Sequence, residues 1–505
     1  MNFMQIGMPL IVLSLGLSVA CQAGKGGGAV RTPAFAGKFY PESPAVLKLA
    51  IEKFLGDALP ALAKEPLAIV VPHAGYVYSG QICADGYAQV RGREYDVIVI
   101  LGTNHTTPHL RKIALYPGEG FRTPLGTAPV DTEAIAALLA ASPDCVADAA
   151  PHAREHSLEV QVPFIQVLFP KAKIVPAVVG EADPALAGRV GAALAQALKG
   201  RRALVVASSD LSHYPSAADA EVVDHQSLEA ITTLDPATLS RTIRSQMARR
   251  IEGLDTAACG EAPIMVAMAA AKAMGAEGGR VVSYANSGDL PIGERERVVG
   301  YGAVVLGSGL GPAKATARPT DSETLSAEDE KGLLALARET ITRFLTAQMV
   351  PLPRGFSPAA MAPRGVFVTL QKGGNLRGCI GRMIPDRPLA TLVGAMALQA
   401  AFEDPRFRQV TLEEVPKLKI EISVLTPMKQ VSGPDDIVVG RDGVLLQKGR
   451  ASAVFLPQVA PEQGWGRDEM LDNLSCKAGL AASAWREGAC FYTFQAHVFG
   501  ETEHR

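Results

Sequence analysis

No CxxC pair occurs anywhere in the chain, and its seven cysteines, at positions 21, 83, 145, 259, 379, 476 and 490, keep no regular spacing. That excludes a disulfide framework. Charge is sparse as well: Asp, Glu, Lys and Arg make up 20% of the residues and sum to a formal −2. Without a basic bias the electrostatics speak against nucleic acid as a partner. Beyond residue 21 no apolar run is long enough to span a bilayer, so any membrane link has to come from the amino terminus.

That terminus has what the rest lacks. Residues 8–20 are apolar, end in small residues at Cys21, and are followed by a glycine-rich stretch over 22–29. The pattern is that of a bacterial signal peptide of the lipoprotein type over residues 1–21, with Cys21 as the lipidated residue and 22–29 as a flexible tether. It predicts an exported protein held at a membrane through the lipid alone. No Lys or Arg precedes the apolar run, and Ser18 stands where Leu is usual, so a cytoplasmic location is the alternative.

At 505 residues the chain exceeds one ordinary core. Strand-like runs at 67–71, 95–101, 174–179 and 203–207 alternate with helical patterns at 43–55, 132–141 and 184–198. This alternation predicts an α/β domain with a mainly parallel sheet covered on both faces. Further helices are expected at 240–252 and 263–274, and strands at 280–284 and 298–306. Residues 308–324, rich in Gly, Pro, Ala and Thr, read as a linker. Ser326 and Asp329 form a capping box for the helix that follows. A hairpin turning at Gly373-Gly-Asn375 and strands near 419–425 and 443–447 make residues 325–505 a mixed α+β domain.

Seven of the nine histidines (73, 105, 109, 152, 156, 213 and 225) lie between residues 73 and 225. His73, His105 and His213 each follow a strand-like run closely, and in a parallel sheet those carboxyl ends share one edge. Cys259 stands just before a helical segment, where the helix dipole favours a thiolate. Imidazole and thiolate donors converging on one edge suit iron, copper or zinc.

The stretches Ala36-Gly-Lys-Phe-Tyr40, Pro72-His-Ala-Gly-Tyr76, Gly102-Thr-Asn-His105, Arg122-Thr-Pro-Leu125, Glu155-His-Ser-Leu-Glu159, Ser208-Ser-Asp-Leu-Ser-His213 and Cys259-Gly260 resemble, in order, the Memo family. Its fold is similar to that of class III extradiol dioxygenases. The resemblance spans residues 30–307 and implies His73, His105 and Cys259 as metal residues, with non-haem Fe(II) or Cu as the metal and Zn also suited. It places His213 and Asp210 beside them as catalytic groups and Tyr78 in the same cleft. Cys259 stands where the dioxygenases use a carboxylate. His213 would act as an acid/base with an ordinary imidazole pKa of about 6.5, or else serve as a hydrogen-bond partner of His105 or Asp210. His156, between Glu155 and Glu159, is a further substrate-binding residue, or else part of a solvated helical face.

The signature Asn375-Leu-Arg-Gly-Cys-Ile-Gly381, with Ala401-Phe-Glu-Asp-Pro-Arg-Phe407 and Phe455-Leu-Pro-Gln-Val-Ala460, resembles the AMMECR1 family. Between two glycines, Cys379 reads as a nucleophile or redox thiol activated by substrate-binding Arg377, or as a small residue in a tight turn. Together the two halves predict a metal-dependent redox or dioxygenase-like enzyme acting on a small molecule or peptide. A non-catalytic module capturing an anionic or peptide group in the histidine-lined cleft is the alternative. The resemblance also implies association with a radical SAM protein.

Overall fold

The structure, a computed structural model, describes residues 29–311 and 324–501. The expected signal segment with Cys21, nearly all of the tether and most of the linker lie outside the described residues. Among those described, no helix is long and apolar enough to cross a membrane.

The first half opens with β1 (Val30–Arg31), α1 (Pro44–Gly56), β2 (Ala63–Val71), α2 (Tyr76–Ala88) and β3 (Val97–Thr103). The short strands β4 (Ile113–Leu115), β5 (Gly120–Thr123) and β6 (Gly126–Pro129) lead to α3 (Thr132–Ala141), β7 (Cys145–Ala147), α4 (His156–Glu159) and α5 (Val162–Leu168). Next come β8 (Lys173–Val179), α6 (Pro184–Ala197), β9 (Ala203–Ser208), α7 (Ala217–Thr232), α8 (Pro236–Ala248) and α9 (Glu261–Ala273). The antiparallel pair β10 (Gly278–Asn286) and β11 (Gly300–Leu310) closes it.

Eight of these strands form one sheet in the order β10-β11-β2-β9-β3-β8-β4-β7. Its centre, β2-β9-β3-β8, is parallel throughout, and antiparallel strands flank it on both sides. Every residue of β3 and β9 is buried, as expected of strands covered on both faces. The carboxyl ends of β2, β3 and β9 therefore meet on one edge.

One departure from the expected elements matters for the site. The helical patterns read from the sequence include none just after His73, yet α2 begins at Tyr76, only three residues later. Its glycines disguise it, and packing explains them. A Cβ on Gly80 would come within 2.6 Å of the Phe54 ring, and one on Gly86 within 2.3 Å of Val71 Cγ1. Bare backbone at these points lets α2 lie directly on α1 and β2, which fixes the peptide carrying His73.

The second half begins with α10 (Ala327–Ala347), whose capping box joins Ser326 and Asp329 as expected. It continues through α11 (Pro358–Met361), the hairpin β12 (Val366–Lys372) and β13 (Asn375–Arg382), α12 (Leu389–Phe402), β14 (Leu418–Leu425) and β15 (Lys429–Val431). β16 (Gly443–Lys448), β17 (Ala451–Phe455), β18 (Cys490–Phe494) and β19 (Ala496–Gly500) complete two four-stranded antiparallel sheets, β13-β12-β14-β19 and β15-β18-β16-β17. Helix α12 is apolar nearly all round and buried, so it shows no helical period to sequence inspection.

The halves touch through both apolar and charged contacts. Leu290, Val350 and Leu398 form a buried cluster against which Val77, Leu352 and Phe402 pack. Arg354 donates to the fully buried Asp85 of α2, and Arg387 to the Gly293 carbonyl at 2.9 Å.

Candidate metal centre

His73 leaves the end of β2 and is almost completely buried. Its backbone N–H donates to Asp210 Oδ1 at 2.7 Å, tying the β2 exit to the β9 exit. Its ring Nδ1 lies 3.2 Å from Ser208 Oγ. The Ser208 hydroxyl already donates its proton to the Ser157 carbonyl at 2.6 Å, so the imidazole must be the donor in the contact with His73. The lone pair then resides on Nε2, which faces Cys259 Sγ at 3.4 Å.

His105 is fixed in the same sense. Its backbone N–H donates to Glu155 Oε2 at 2.7 Å and its ring Nδ1 lies 2.9 Å from Glu155 Oε1. A fully buried carboxylate on Nδ1 sets the tautomer, leaves Nε2 free, and makes the ring a better donor to a metal. The same carboxylate caps α4 through Ser157 N and lies 3.5 Å from His156 Nδ1. The His156 ring stacks on that of His105 at 4.5 Å, and the outer face of His156 meets Phe39 at 4.7 Å.

His73, His105 and His156 thus form one group, with potential ligand nitrogens all within 4.8 Å of one another. Burial drives the His73 imidazole down to about 3, and the neighbouring His105 adds to this, so the ring is neutral at pH 7. Burial lowers His156 as well, reinforced by His73 and His105. For Glu155 burial pulls upward, but hydrogen bonds from His105 and from backbone amides outweigh it and keep the carboxylate ionised.

Two electrostatic expectations are corrected. Burial pushes the Cys259 thiol well above its usual range, with Asp210 adding to the rise, so the free thiol stays protonated in spite of α9 beginning just after it. His213 does not keep an ordinary imidazole pKa: burial lowers it against the pull of Asp210, leaving a neutral ring. Its backbone N–H is held by the Thr256 carbonyl at 2.9 Å, and its Nε2 is buried with no hydrogen-bond partner among the described residues. Asp210 is buried, and its carboxyl is raised mainly by that burial.

Tyr78 projects from α2 and is 40% exposed. Next to Cys259 a cavity of about 350 Å³ is lined by Thr103, Asn104, Glu181, Glu261 and Pro263. The remaining histidines do other work. His152 is a core residue held by the Ala114 carbonyl, and His225 is exposed and contacts the Glu221 carbonyl. Glu155 and Glu159 are both fully buried, which removes the solvated-face reading of their stretch.

In the second half Cys379 lies on β13, with Thr369 Oγ1 donating to its sulfur at 3.2 Å. Arg377 is not the residue that attends it. The Arg377 guanidinium pairs with Glu414 at 3.0 Å, while Arg406 donates to the Cys379 carbonyl and Asp404 accepts from its N–H. The bulge in β13 between Leu376 and Gly378 displaces Arg377 from simple alternation, which a sequence pattern does not reveal.

Residues 31–305 match the sequence profile of the family described as Memo-like protein, and residues 334–499 that of AMMECR1. A MEMO1 family protein of Methanosarcina mazei is 36% identical over 280 residues, covering 55% of this chain and 99% of the relative. One from Methanococcoides burtonii is 38% identical over 280 residues, covering 55% and 100%. The solved structure of an uncharacterized protein from Pyrococcus horikoshii is 39% identical, covers 35% of this chain and 93% of that one, and has a TM-score of 0.34.

Proposed function

The chain belongs to the Memo-like family, here fused to an AMMECR1 domain, and from that premise we propose that its histidine cluster holds iron or copper in a redox enzyme. The observation that carries this reading is the convergence of His73 after β2, His105 after β3 and His156 at the start of α4, with ring nitrogens within 4.8 Å.

The donor set fits such a metal. His73 is a neutral ring, and the Nδ1 atoms of His73 and His105 are engaged by Ser208 and Glu155, so both rings present Nε2. Cys259 is the third donor in this reading. Its sulfur stands 3.4 Å from His73 Nε2, and two such donors sharing one tetrahedral metal would be about 3.5 Å apart. His156 is near enough to enter as a further imidazole or to face a substrate. A bound iron or copper would supply one-electron chemistry and Lewis acidity. The protein's own part is to hold His73 neutral and buried while His105 stays open to solvent, and to offer His213, a neutral ring whose Nε2 has no partner among the described residues, as the acceptor for a substrate proton. Asp210 holds the His73 peptide in place and lies in the same buried patch.

Metal analysis of the anaerobically purified full chain tests the proposal. We expect close to one iron or copper per chain in the wild type and loss of most of it in His73→Ala and Cys259→Ser. Equally low metal in all three would discard the metalloenzyme reading in favour of a ligand-capturing cleft.

A further inference from the structure

Between the metal-site histidines and the amino-terminal arm lies a buried ion pair that none of the proposed chemistry uses. Arg31, on β1, is 6% exposed and Glu159, at the end of α4, is fully buried. The guanidinium spends its donors on four targets: Nε on the His152 carbonyl at 2.6 Å, Nη2 on the Glu155 carbonyl at 3.1 Å, and Nη1 on Glu159 Oε2 at 2.6 Å and, more weakly, on the Thr32 carbonyl at 3.4 Å. It therefore clamps both ends of the loop from which the Glu155 carboxylate reaches His105.

Glu159 passes the constraint to the opposite wall. Its carboxylate accepts from the Tyr40 hydroxyl at 2.6 Å and from the backbone N–H groups of Ala34 and Phe35 at 2.9 Å each. The arm over residues 34–40 is thereby fastened to α4. Phe35 and Phe39, which pack edge-to-face at 5.1 Å, lie against the His156 ring at 5.5 and 4.7 Å. Since His156 is stacked on His105, the aromatic pair presses the two imidazoles together from outside.

We propose that Arg31 and Glu159 are positioning residues for the metal centre: one buried pair sets the peptide that aims His105 and the aromatic wall that aims His156. A buried pair is weak evidence of net stabilisation, because two charges must be desolvated to form it. Satisfied by eight hydrogen bonds, it is instead a rigid fixture, and groups that orient metal ligands change metal affinity about tenfold to a hundredfold when removed.

This inference rests on the metal reading, and the experiment separates the two. The full chain, stripped of metal, is titrated with Co(II) while its absorption bands are recorded. Arg31→Met and Glu159→Gln are expected to bind Co(II) about tenfold more weakly or worse, with shifted bands. Arg201→Met is the control. It breaks the contact with buried Asp131 at the amino ends of the strands, and should lower the melting temperature while leaving Co(II) affinity and bands at wild-type values. Should the ion-pair variants fail to fold, Tyr40→Phe and Phe39→Leu carry the test, with a loss of roughly threefold expected. A wild type that binds no Co(II) overturns the metal reading itself. Wild-type binding matched by folded Arg31 and Glu159 variants, or by Tyr40→Phe and Phe39→Leu, overturns the positioning role alone.

Discussion

The Ser208 hydroxyl gives its proton to the Ser157 carbonyl and so accepts from His73 Nδ1, at 3.2 Å. A single serine thereby decides which nitrogen of a buried histidine keeps its lone pair. Ser208→Ala removes the acceptor without adding bulk, leaving His73 free to choose its other tautomer. Metal affinity should fall about tenfold, read by competition against a chelator, with little change in secondary structure. Unchanged affinity would mean that the His73 tautomer is set elsewhere.

Metal binding should depend on pH through Cys259. Burial holds the free thiol protonated well above neutrality, so a metal that takes the sulfur must displace one proton. His73, already neutral down to about pH 3, displaces none. Affinity for Zn(II) should therefore rise about tenfold per pH unit between roughly 6.5 and 8.5 in the wild type, and much less in Cys259→Ser. Calorimetry in buffers of different ionisation heat counts the protons directly. Equal slopes in the two proteins would remove Cys259 from the ligand set.

Much of this architecture was readable in the residues, and the failures have physical causes. Runs such as Val97–Thr103 are apolar throughout because both faces of the sheet are covered, so their assignment was secure. His73 and His105 stood out because they follow such runs closely. Helix α2 was hidden by glycines whose purpose is close packing on Phe54 and Val71, a contact no local pattern encodes. The roles of Arg31, Glu155 and Glu159 were hidden too, because a charged residue is exposed far more often than buried, and its partners here lie up to 128 residues away. Sequence inspection finds ligands by residue type, whereas the groups that aim them are found only by tertiary contact.

Asp224 makes stability pH-dependent near neutrality. It is buried beneath Tyr284 and accepts from Ser212 N at 2.8 Å, Ser212 Oγ at 3.0 Å and Tyr284 OH at 2.9 Å. Burial raises its carboxyl to about 7 against those hydrogen bonds. The folded state thus binds a proton that the unfolded chain releases near pH 4, so stability falls as pH rises from about 4 to 7, by as much as roughly 4 kcal/mol in all. Asp224→Asn removes the titration while keeping one acceptor oxygen for Ser212 N, its amide NH2 donating to a hydroxyl where the second oxygen accepted. In urea unfolding at pH 5 and pH 8 the variant should lose less stability than the wild type between the two values. A wild-type-to-variant difference that is the same at both would refute the assignment.

The contact between the two halves is testable at Arg354 and Asp85. Asp85 is wholly buried and also accepts from Leu59 N at 3.1 Å, while the Arg354 head remains about a quarter exposed. Removing the arginine leaves a buried carboxylate with no cation, held only by the Leu59 N–H and the Gln81 amide. Removing both charges leaves two neutral groups. Arg354→Met should therefore cost about 1–3 kcal/mol, the lower end reflecting the solvent that reaches the guanidinium, and Arg354→Met with Asp85→Asn should cost less than Arg354→Met alone. Chemical unfolding of the full chain, followed by a probe in each half, measures the four corners of this cycle. If the two substitutions simply add, the pair does not couple the halves, and their association rests on the apolar cluster around Leu290, Val350 and Leu398.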